Sequence, residues 1–228
     1  GRASVWDVES GEKIREFNPD EGHILSAQFS RDDQTIVTAS TAGVAQIWGV
    51  DSNNVVQRLD SFGRTITSAT FSPDGKQVVT ASRDGIARVW NVLSGELIYS
   101  LKGHRGQVES AQFSRDGLFI VTSSSDRTAR IWASVSGELL HVLNGHTEIV
   151  NSAEFSPDGR FVVTASNDGT ALLWYSSSGE QVALLGDGLG RVASAIFSQD
   201  GNFIVVASSD ATARIFTRKR ADLDKGLQ

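Results

Sequence analysis

The chain has 228 residues, of which 39% are hydrophobic and 21% are charged, a composition typical of globular proteins. Its net charge of −6 argues against a nucleic-acid partner, because phosphates favour basic surfaces. The absence of cysteine excludes disulfides and thiolate metal sites, and no apolar run approaches the roughly 18 residues that a membrane span requires.

One aromatic position recurs every 42 residues along the chain, without any insertion or deletion. A fixed period of about 20–50 residues indicates an array in which each unit stacks on the next. The units end at Trp6, Trp48, Trp90, Trp132, Trp174 and Phe216. We therefore expect one repeat domain over residues 1–217, followed by a polar tail or linker over residues 218–228.

Each unit contains four predicted strands, and the first of them leads into a hairpin turn. The turn reads "FSPDG" at 71–75 and 155–159, where proline pre-sets φ and glycine accepts a left-handed conformation. In "FSRDD" at 29–33, Asp33 stands where the other units have glycine, which predicts a small backbone strain.

The second predicted strand is an apolar run such as "FVVTAS" at 161–166, which is typical of a strand buried on both faces. A tight turn around an aspartate leads to the third strand, such as "TARIW" at 128–132. A second hairpin, "SGE", leads to a more polar fourth strand. Radially repeated sheets of this kind are the blades of a β-propeller. The sequence therefore predicts an all-β propeller with about five four-stranded antiparallel blades.

The strand count predicts how the array ends. The chain supplies six third strands, from "RASVW" (2–6) to "TARIF" (212–216), but only five of each other kind. If "EKIREF" (12–17) joined the sheet of 192–216, five blades would form and "RASVW" would be left over. The chain also lacks methionine. We therefore expect a fragment of a longer array, which can self-associate through its open blade ends.

These units resemble the WD-repeat family over almost the whole chain. The Gly-His dipeptide of that family stands at 103–104 and 145–146, and its Trp-Asp pair survives at 6–7. The resemblance implies a buried network of histidine, a strand threonine, the turn aspartate and tryptophan. Carried over by position, the networks are His104, Thr122, Asp126 and Trp132; His146, Thr164, Asp168 and Trp174; and Thr80, Asp84 and Trp90, with Phe62 in the histidine position.

The remaining units keep fewer members of the network. Thr38 and Trp48 stand beside Asp20, which occupies the histidine position, and the last unit keeps only Asp210. We therefore expect the middle units to be the most stable.

A His–Asp–Thr grouping also suggests nucleophilic catalysis. Here the grouping recurs in successive units rather than standing once in a cleft, which favours a structural role. The turn aspartates lie a blade apart and so cannot converge on a cation. "GDGLGR" at 186–191 resembles a phosphate-binding loop but lacks the helix that would follow it. We expect no enzyme activity, cofactor or metal.

Positions that vary within the constant frame predict a surface for a partner. The loops before each first strand and the aspartate turns should open on one face, because both join strand ends of the same polarity. The candidate residues are His23, Leu25, Thr65, Thr67, Arg83, Gln107, Glu109, Ile149, Asn151, Asn167 and Arg191. This mixture of charged, polar and apolar side chains suits a protein or peptide.

The resemblance implies a non-catalytic scaffold that binds proteins or peptides. The repeated "TAS-D-TAR-W" sequence pattern is similar to that of prokaryotic arrays in larger signalling proteins, where the array serves as a sensor or docking region. Two alternatives remain open: an enzyme with a site in the propeller channel, and an architectural spacer. No signal peptide is visible, so we expect a cytoplasmic location and no membrane partner.

Overall fold

The computed structural model describes residues 1–18, 22–52, 54–61, 63–186, 188 and 190–217. All regular elements in these ranges are β-strands, which form six antiparallel sheets in chain order. The described ranges accordingly contain no helix that is long and apolar enough to cross a membrane. The predicted tail, 218–228, lies outside the described residues.

Four sheets have four strands each, and they are preceded by a two-stranded sheet and followed by a three-stranded one. The strands, sheet by sheet, are Ala3–Trp6 (β1) and Lys13–Phe17 (β2); Ile24–Phe29 (β3), Thr35–Ser40 (β4), Val44–Gly49 (β5) and Val55–Asp60 (β6); Ile66–Phe71 (β7), Gln77–Ser82 (β8), Ala87–Asn91 (β9) and Leu97–Leu101 (β10); Val108–Phe113 (β11), Phe119–Ser124 (β12), Thr128–Ala133 (β13) and Leu139–Asn144 (β14); Val150–Phe155 (β15), Phe161–Ser166 (β16), Ala171–Tyr175 (β17) and Gln181–Leu185 (β18); and Val192–Phe197 (β19), Phe203–Ser208 (β20) and Ala213–Thr217 (β21). The prediction of an all-β chain with four-stranded blades is confirmed.

The hairpin after each first strand owes its shape to a serine and an aspartate. In the second complete blade, the Ser72 hydroxyl donates to Asp74 Oδ1 at 2.7 Å and accepts the Gln77 N–H at 2.9 Å. Gly75 follows with φ of 70°, the left-handed conformation that suits glycine. Asp33 adopts the same conformation with φ of 58°, as its sequence predicted.

Neighbouring blades are joined by apolar packing that repeats along the array. The second and third strands of one blade cover the first strand of the next. Between the second and third complete blades, Val79 and Val89 pack on Val108 and Ala111, and all four side chains are buried. Since each inner strand is apolar on both sides, a blade buries both of its faces only with a neighbour on each side.

Consecutive first strands line the inner edge of the array. The strands β3, β7, β11, β15 and β19 contact one another in that order. Side chains cross between them: Ser68 Oγ accepts the N–H of Ala111 at 3.2 Å, and the Thr67 hydroxyl donates to the carbonyl of Val108 at 2.7 Å. The loops at the two ends of these strands therefore open on two opposite faces.

Within the described residues the array does not close into a ring, and the expected closing pair is wrong. Strand β2, which was expected to join the sheet of 192–216, pairs instead with β1, placing Ala3 opposite Phe17. The sheet β19–β21 has three strands in the described part of the chain. The reason is local: a tight turn, with Asp7 N–H bonded to the Glu12 carbonyl at 2.8 Å, holds β1 beside β2. Pairing across the whole array would have to replace this short hairpin.

Candidate functional site

The third complete blade contains a chain of hydrogen bonds that ends at a buried tryptophan. Trp132 Nε1–H donates to Thr122 Oγ1 at 2.9 Å, and Thr122 Oγ1 lies 2.7 Å from His104 Nε2. The other ring nitrogen, His104 Nδ1, lies 2.8 Å from Asp126 Oδ2. The His104 side chain is fully enclosed. The structure thus brings together the four residues that the resemblance implied.

The direction of these bonds follows from burial. Enclosure lowers the pKa of His104, although Asp126 acts in the opposite sense, so the ring is neutral at neutral pH. A carboxylate can only accept, and Nδ1–H therefore donates to Asp126. Nε2 is then an acceptor for the Thr122 hydroxyl, which in turn accepts the indole N–H of Trp132. Each polar side-chain atom that takes part in this network therefore has a partner.

The turn aspartate collects further donors. Asp126 Oδ2 accepts the backbone N–H of Arg105 at 2.9 Å, and Oδ1 accepts the hydroxyl of Thr128 at 2.7 Å. Burial alone would raise the pKa of Asp126. The hydrogen bonds from Thr128, Arg105 and His104 outweigh burial and lower this pKa to about 2. The carboxylate therefore ties the Gly-His loop to the aspartate turn.

The fourth complete blade repeats this network with nearly the same distances. Trp174 Nε1–H donates to Thr164 Oγ1 at 2.9 Å, and His146 Nε2 lies 2.7 Å from the same oxygen. His146 Nδ1 lies 2.9 Å from Asp168 Oδ2. Burial lowers the pKa of His146, so its ring is neutral as well.

In the second complete blade, the expected three-membered network is only partly present. Trp90 Nε1–H donates to Thr80 Oγ1 at 2.9 Å, but Asp84 belongs to a different group of side chains. Its Oδ2 accepts from Arg88 Nη2 at 2.6 Å, and Arg88 also donates to Ser61 Oγ at 2.9 Å. The physical reason is that Phe62 carries no polar group that could join Asp84 to Thr80, so the carboxylate takes the nearest cation. Phe62 itself lies outside the described residues.

The end blades keep less of the network. In the first complete blade Trp48 Nε1–H donates to Thr38 Oγ1 at 2.9 Å, while Asp20 lies outside the described residues. In the last sheet, Asp210 accepts the Thr212 hydroxyl at 2.6 Å and Arg214 Nη2 at 3.3 Å. The Trp–Thr bond is therefore the element that the four complete blades share.

The histidine networks fasten strands and do not present a nucleophile. Thr122 and Thr164 are fully buried, and both histidine side chains are enclosed, so no substrate atom can approach the hydroxyls. Over the described ranges, no three side chains of the His, Cys, Asp or Glu type lie close enough together to hold a metal ion.

The variable loops meet at one face through a backbone hydrogen bond that recurs in every unit. The residue that directly follows the second strand of each unit donates its N–H to the carbonyl of the residue that directly precedes the first strand. The five pairs, donor first, are Thr41–His23, Arg83–Thr65, Ser125–Gln107, Asn167–Ile149 and Ser209–Arg191. The loops before the first strands and the aspartate turns therefore stand side by side, and we call the surface formed by these residues and Leu25, Thr67, Glu109 and Asn151 the loop face.

Members of the loop face differ in how free their side chains are. His23, Leu25, Arg83, Gln107 and Arg191 are exposed. The side chains of five others form bonds inside the array. Thr65 donates to the Thr41 carbonyl and Thr67 to that of Val108. Asn151 donates to the Val192 carbonyl and to Asn167 Oδ1, and the Thr41 hydroxyl accepts the His23 N–H.

A partly buried acid also lies at this face. Burial raises the pKa of Glu109, and the positive charge of Arg83 opposes that rise. Whether the loop-face residues bind a partner stays a prediction.

The inter-blade serines were missed from the sequence. Ser26, Ser68 and Ser152 each accept the backbone N–H of an alanine in the next first strand, at 3.2 to 3.4 Å. At the third of these positions, Ser110 pairs with Ser123 instead, at 2.7 Å. A signal was present, since serine occupies this position in all five units, at 26, 68, 110, 152 and 194.

Comparison with known families agrees with this architecture. A family model described as WD domain, G-beta repeat matches residues 11–49, 54–91, 95–133, 137–175 and 180–217. Each match runs from the fourth strand of one sheet to the third strand of the next, so a complete blade is shared by two successive matches. No curated protein sequence matches the chain.

Removal of one network member should destabilise the fold. We expect His104→Ala or Asp126→Ala to lower the free energy of unfolding by about 1–3 kcal/mol, because the buried partners lose their hydrogen bonds. Urea unfolding followed by tryptophan fluorescence measures this change. The control is His141→Ala, a half-buried position on β14 outside the networks, which should have little effect. Equal losses for His104→Ala and His141→Ala would contradict the role of the network.

The same networks should make stability depend on pH. Because the pKa of His104 and of His146 is lowered in the fold, the unfolded chain binds more protons below its own histidine pKa of about 6.5. Stability should therefore lose the contribution of these two histidines as the pH drops below that value. It should fall again below about pH 4, as the unfolded carboxylates take up protons that Asp126, with its pKa of about 2, resists.

The histidine part of this prediction can be isolated. A double variant, His104→Gln with His146→Gln, has no histidine to titrate in the networks. Its unfolding free energy should change less between about pH 7 and pH 5 than that of the parent chain. An unchanged pH dependence in the double variant would show that other groups are responsible.

Proposed function

The chain belongs to the WD domain, G-beta repeat family, and from this premise we propose that it is a non-catalytic platform that binds a protein or peptide on the loop face. Repeats of this family generally mediate protein–protein interaction. The observation that supports this assignment is the pairing of variable loops in all five units, which collects exposed side chains on a constant frame.

The chemistry of the loop face supports a peptide-like partner. Arg83, Gln107 and Arg191 are exposed on the loops of the second and third complete blades and of the last sheet, where they can donate several hydrogen bonds. Ile149 adds partly buried apolar surface between them, and arginine is a frequent hot spot of protein interfaces. The rigid hydrogen-bonded loops also lower the entropic cost of binding, because little has to be ordered.

The wider context is part of the same proposal. We propose that the chain is a prokaryotic-type array that serves as the sensor or docking region of a larger cytoplasmic signalling protein, and the resemblance noted in its repeated "TAS-D-TAR-W" pattern is the support for this. In that role, a rigid array presents the loop face while the rest of the protein carries the signal.

A second proposed property is head-to-tail self-association, and the exposure of the two end faces supports it. Ile215 on β21 is 69% exposed, whereas Ile131 at the same position of an inner blade is 1% exposed. At the other end, Phe29 on β3 is 45% exposed, whereas Phe155 is 6% exposed. In an inner seam, Ile131, the equivalent of Ile215, packs against the strand that contains Phe155, the equivalent of Phe29. Each end therefore exposes apolar side chains that the inner seams bury, although at the first end Val5 of β1 already packs against Ile36 and Trp48 in the position equivalent to Ile215.

The loop-face assignment predicts that two arginines contribute to binding. A peptide selected against the chain from a random display library should bind at least about fivefold more weakly to Arg83→Ala or Arg191→Ala, a change of about 1 kcal/mol. Isothermal calorimetry measures the affinity, and urea unfolding should show no loss of stability. The control is Glu138→Ala, an exposed position in a hairpin of the outer strands. If that change abolished binding while both arginine changes were silent, the binding face would lie elsewhere.

Self-association predicts a complementation between two end variants. Ile215→Glu should block one end and Phe29→Glu the other, because a charge cannot be buried in an apolar seam. In sedimentation velocity each variant alone should be monomeric, while an equimolar mixture should form dimers and no longer species, since one seam remains functional. A parent chain that stays monomeric at high concentration, or a mixture that stays monomeric, would contradict the proposal.

A further inference from the structure

A cavity of about 250 Å³ lies on the face opposite to the loop face. It is formed where the first strands β11, β15 and β19 end and their hairpin turns begin. Its wall contains polar and charged side chains, among them Gln112, Arg115, Glu154 and Gln199, and the rings of Phe155 and Phe197. The cavity therefore spans three successive blades at the inner edge of the array.

Glu154 occupies a position that serves as a neutral connector in the preceding blades. Gln28 Oε1 accepts the N–H of Phe71 at 2.9 Å, and the Thr70 hydroxyl donates to the carbonyl of Ala111 at 3.0 Å. Glu154 Oε1 makes the corresponding contact, accepting the N–H of Phe197 at 3.3 Å. A glutamine would supply the same acceptor without a charge, so the seam itself does not require an acid.

The acid at this position is costly for the fold. Burial raises the pKa of Glu154 to about 7, and the N–H of Phe197 only partly offsets this. Because this pKa is higher in the fold than in the unfolded chain, the contribution of Glu154 to stability declines as the pH rises from about 4.5 through 7, opposite in sense to the contribution of the two histidines. An ionisable group that a neutral residue could replace at a gain in stability, and that borders a cavity, indicates a functional role.

The charges around the cavity favour a cation. Arg115 is the one cationic side chain that lines it, and Arg115 also borders an adjoining depression with Asp116 and Asp158. The cavity and the adjoining depression are thus lined by three carboxyl groups, including that of Glu154, and by the guanidinium of Arg115. The aromatic rings and Pro157 provide apolar wall, which suits an alkyl chain behind a charged head group.

We propose that this cavity binds the side chain of a lysine in a peptide, with Glu154 as the counter-ion of the ammonium group. The alkyl stem of the lysine lies against Phe155 and Phe197, and the amides of Gln112 and Gln199 accept from the ammonium protons that Glu154 does not take. The first strands begin at the loop face, and this site lies at their opposite ends. It is therefore a second binding site, which does not depend on the loop face binding anything.

The test uses a defined probe and the whole chain. Acetyl-Gly-Lys-Gly-amide is titrated at about pH 7.5, a pH at which Glu154 with its pKa of about 7 is largely ionised. Binding is followed by NMR through the backbone amide signals, above all that of Phe197, which donates to Glu154. We expect saturable shifts confined to the cavity, and at least tenfold weaker binding to Glu154→Gln. The matched control Glu138→Gln removes a carboxylate from the outer rim and should leave the affinity unchanged.

Two further measurements complete the test. The peptide with norleucine in place of lysine should not bind, because it lacks the ammonium group. Urea unfolding should show that Glu154→Gln is at least as stable as the parent at that pH, so that a loss of binding cannot be ascribed to unfolding.

The proposal is overturned if the lysine peptide gives no saturable shifts, or if Glu154→Gln binds it as tightly as the parent. It is also overturned if the norleucine peptide binds equally well. Shifts of the same signals by inorganic phosphate alone would assign the cavity to anions held by Arg115, and would equally overturn it.

Discussion

The second strand of each complete blade is apolar and buried on both faces, and this condition determines most of the structure. A blade buries both faces only when the second and third strands of its neighbour cover its first strand, as Val79 and Val89 cover Val108. An inserted residue in one inner strand would exchange the side chains of its two faces, so that neither face would fit the neighbouring blade. The same condition explains why burial declines at the ends: Phe29 and Ile215 occupy positions that are buried in inner blades, but they lack the neighbouring blade in the described structure.

Within a blade, one hydrogen bond is constant and the groups around it vary. The indole N–H donates to a threonine hydroxyl at 2.9 Å in all four complete blades. Where a histidine is present, the threonine hydroxyl finds an acceptor on the ring and the turn aspartate is drawn into the network. Where the ring is missing, Asp84 pairs with Arg88 instead. The Trp–Thr bond thus connects the second and third strands, and the histidine adds a connection to the loop that precedes the first strand of the same blade.

The sequence allowed accurate prediction wherever local pattern determines structure. The serine–aspartate turns, the left-handed conformation of Asp33 and the members of the two histidine networks all depend on residues at fixed offsets. The pairing of β2 could not be predicted from position alone, because "EKIREF" fits either sheet and the choice depends on the short hairpin that holds β1 nearby. Nor could the partner of Asp84 be predicted, because that choice depends on how Arg88 folds back across its own strand.

Glu154 shows a further limit of reasoning from repeats. Equivalent positions share a backbone environment, so periodicity assigns Gln28, Thr70 and Glu154 the same connecting role, and their hydrogen bonds agree with it. The periodicity contains no information about the cost of charge, which depends on how much water the surrounding strands exclude. The seam accepts a neutral side chain equally well. A functional side chain can therefore occupy that position of the repeat without changing the structure of the blade. The same freedom exists at the loop face, where constant backbone bonds support different side chains. A strictly periodic scaffold can therefore carry different binding chemistry at the two ends of its inner strands, since neither end has to alter the packing between blades.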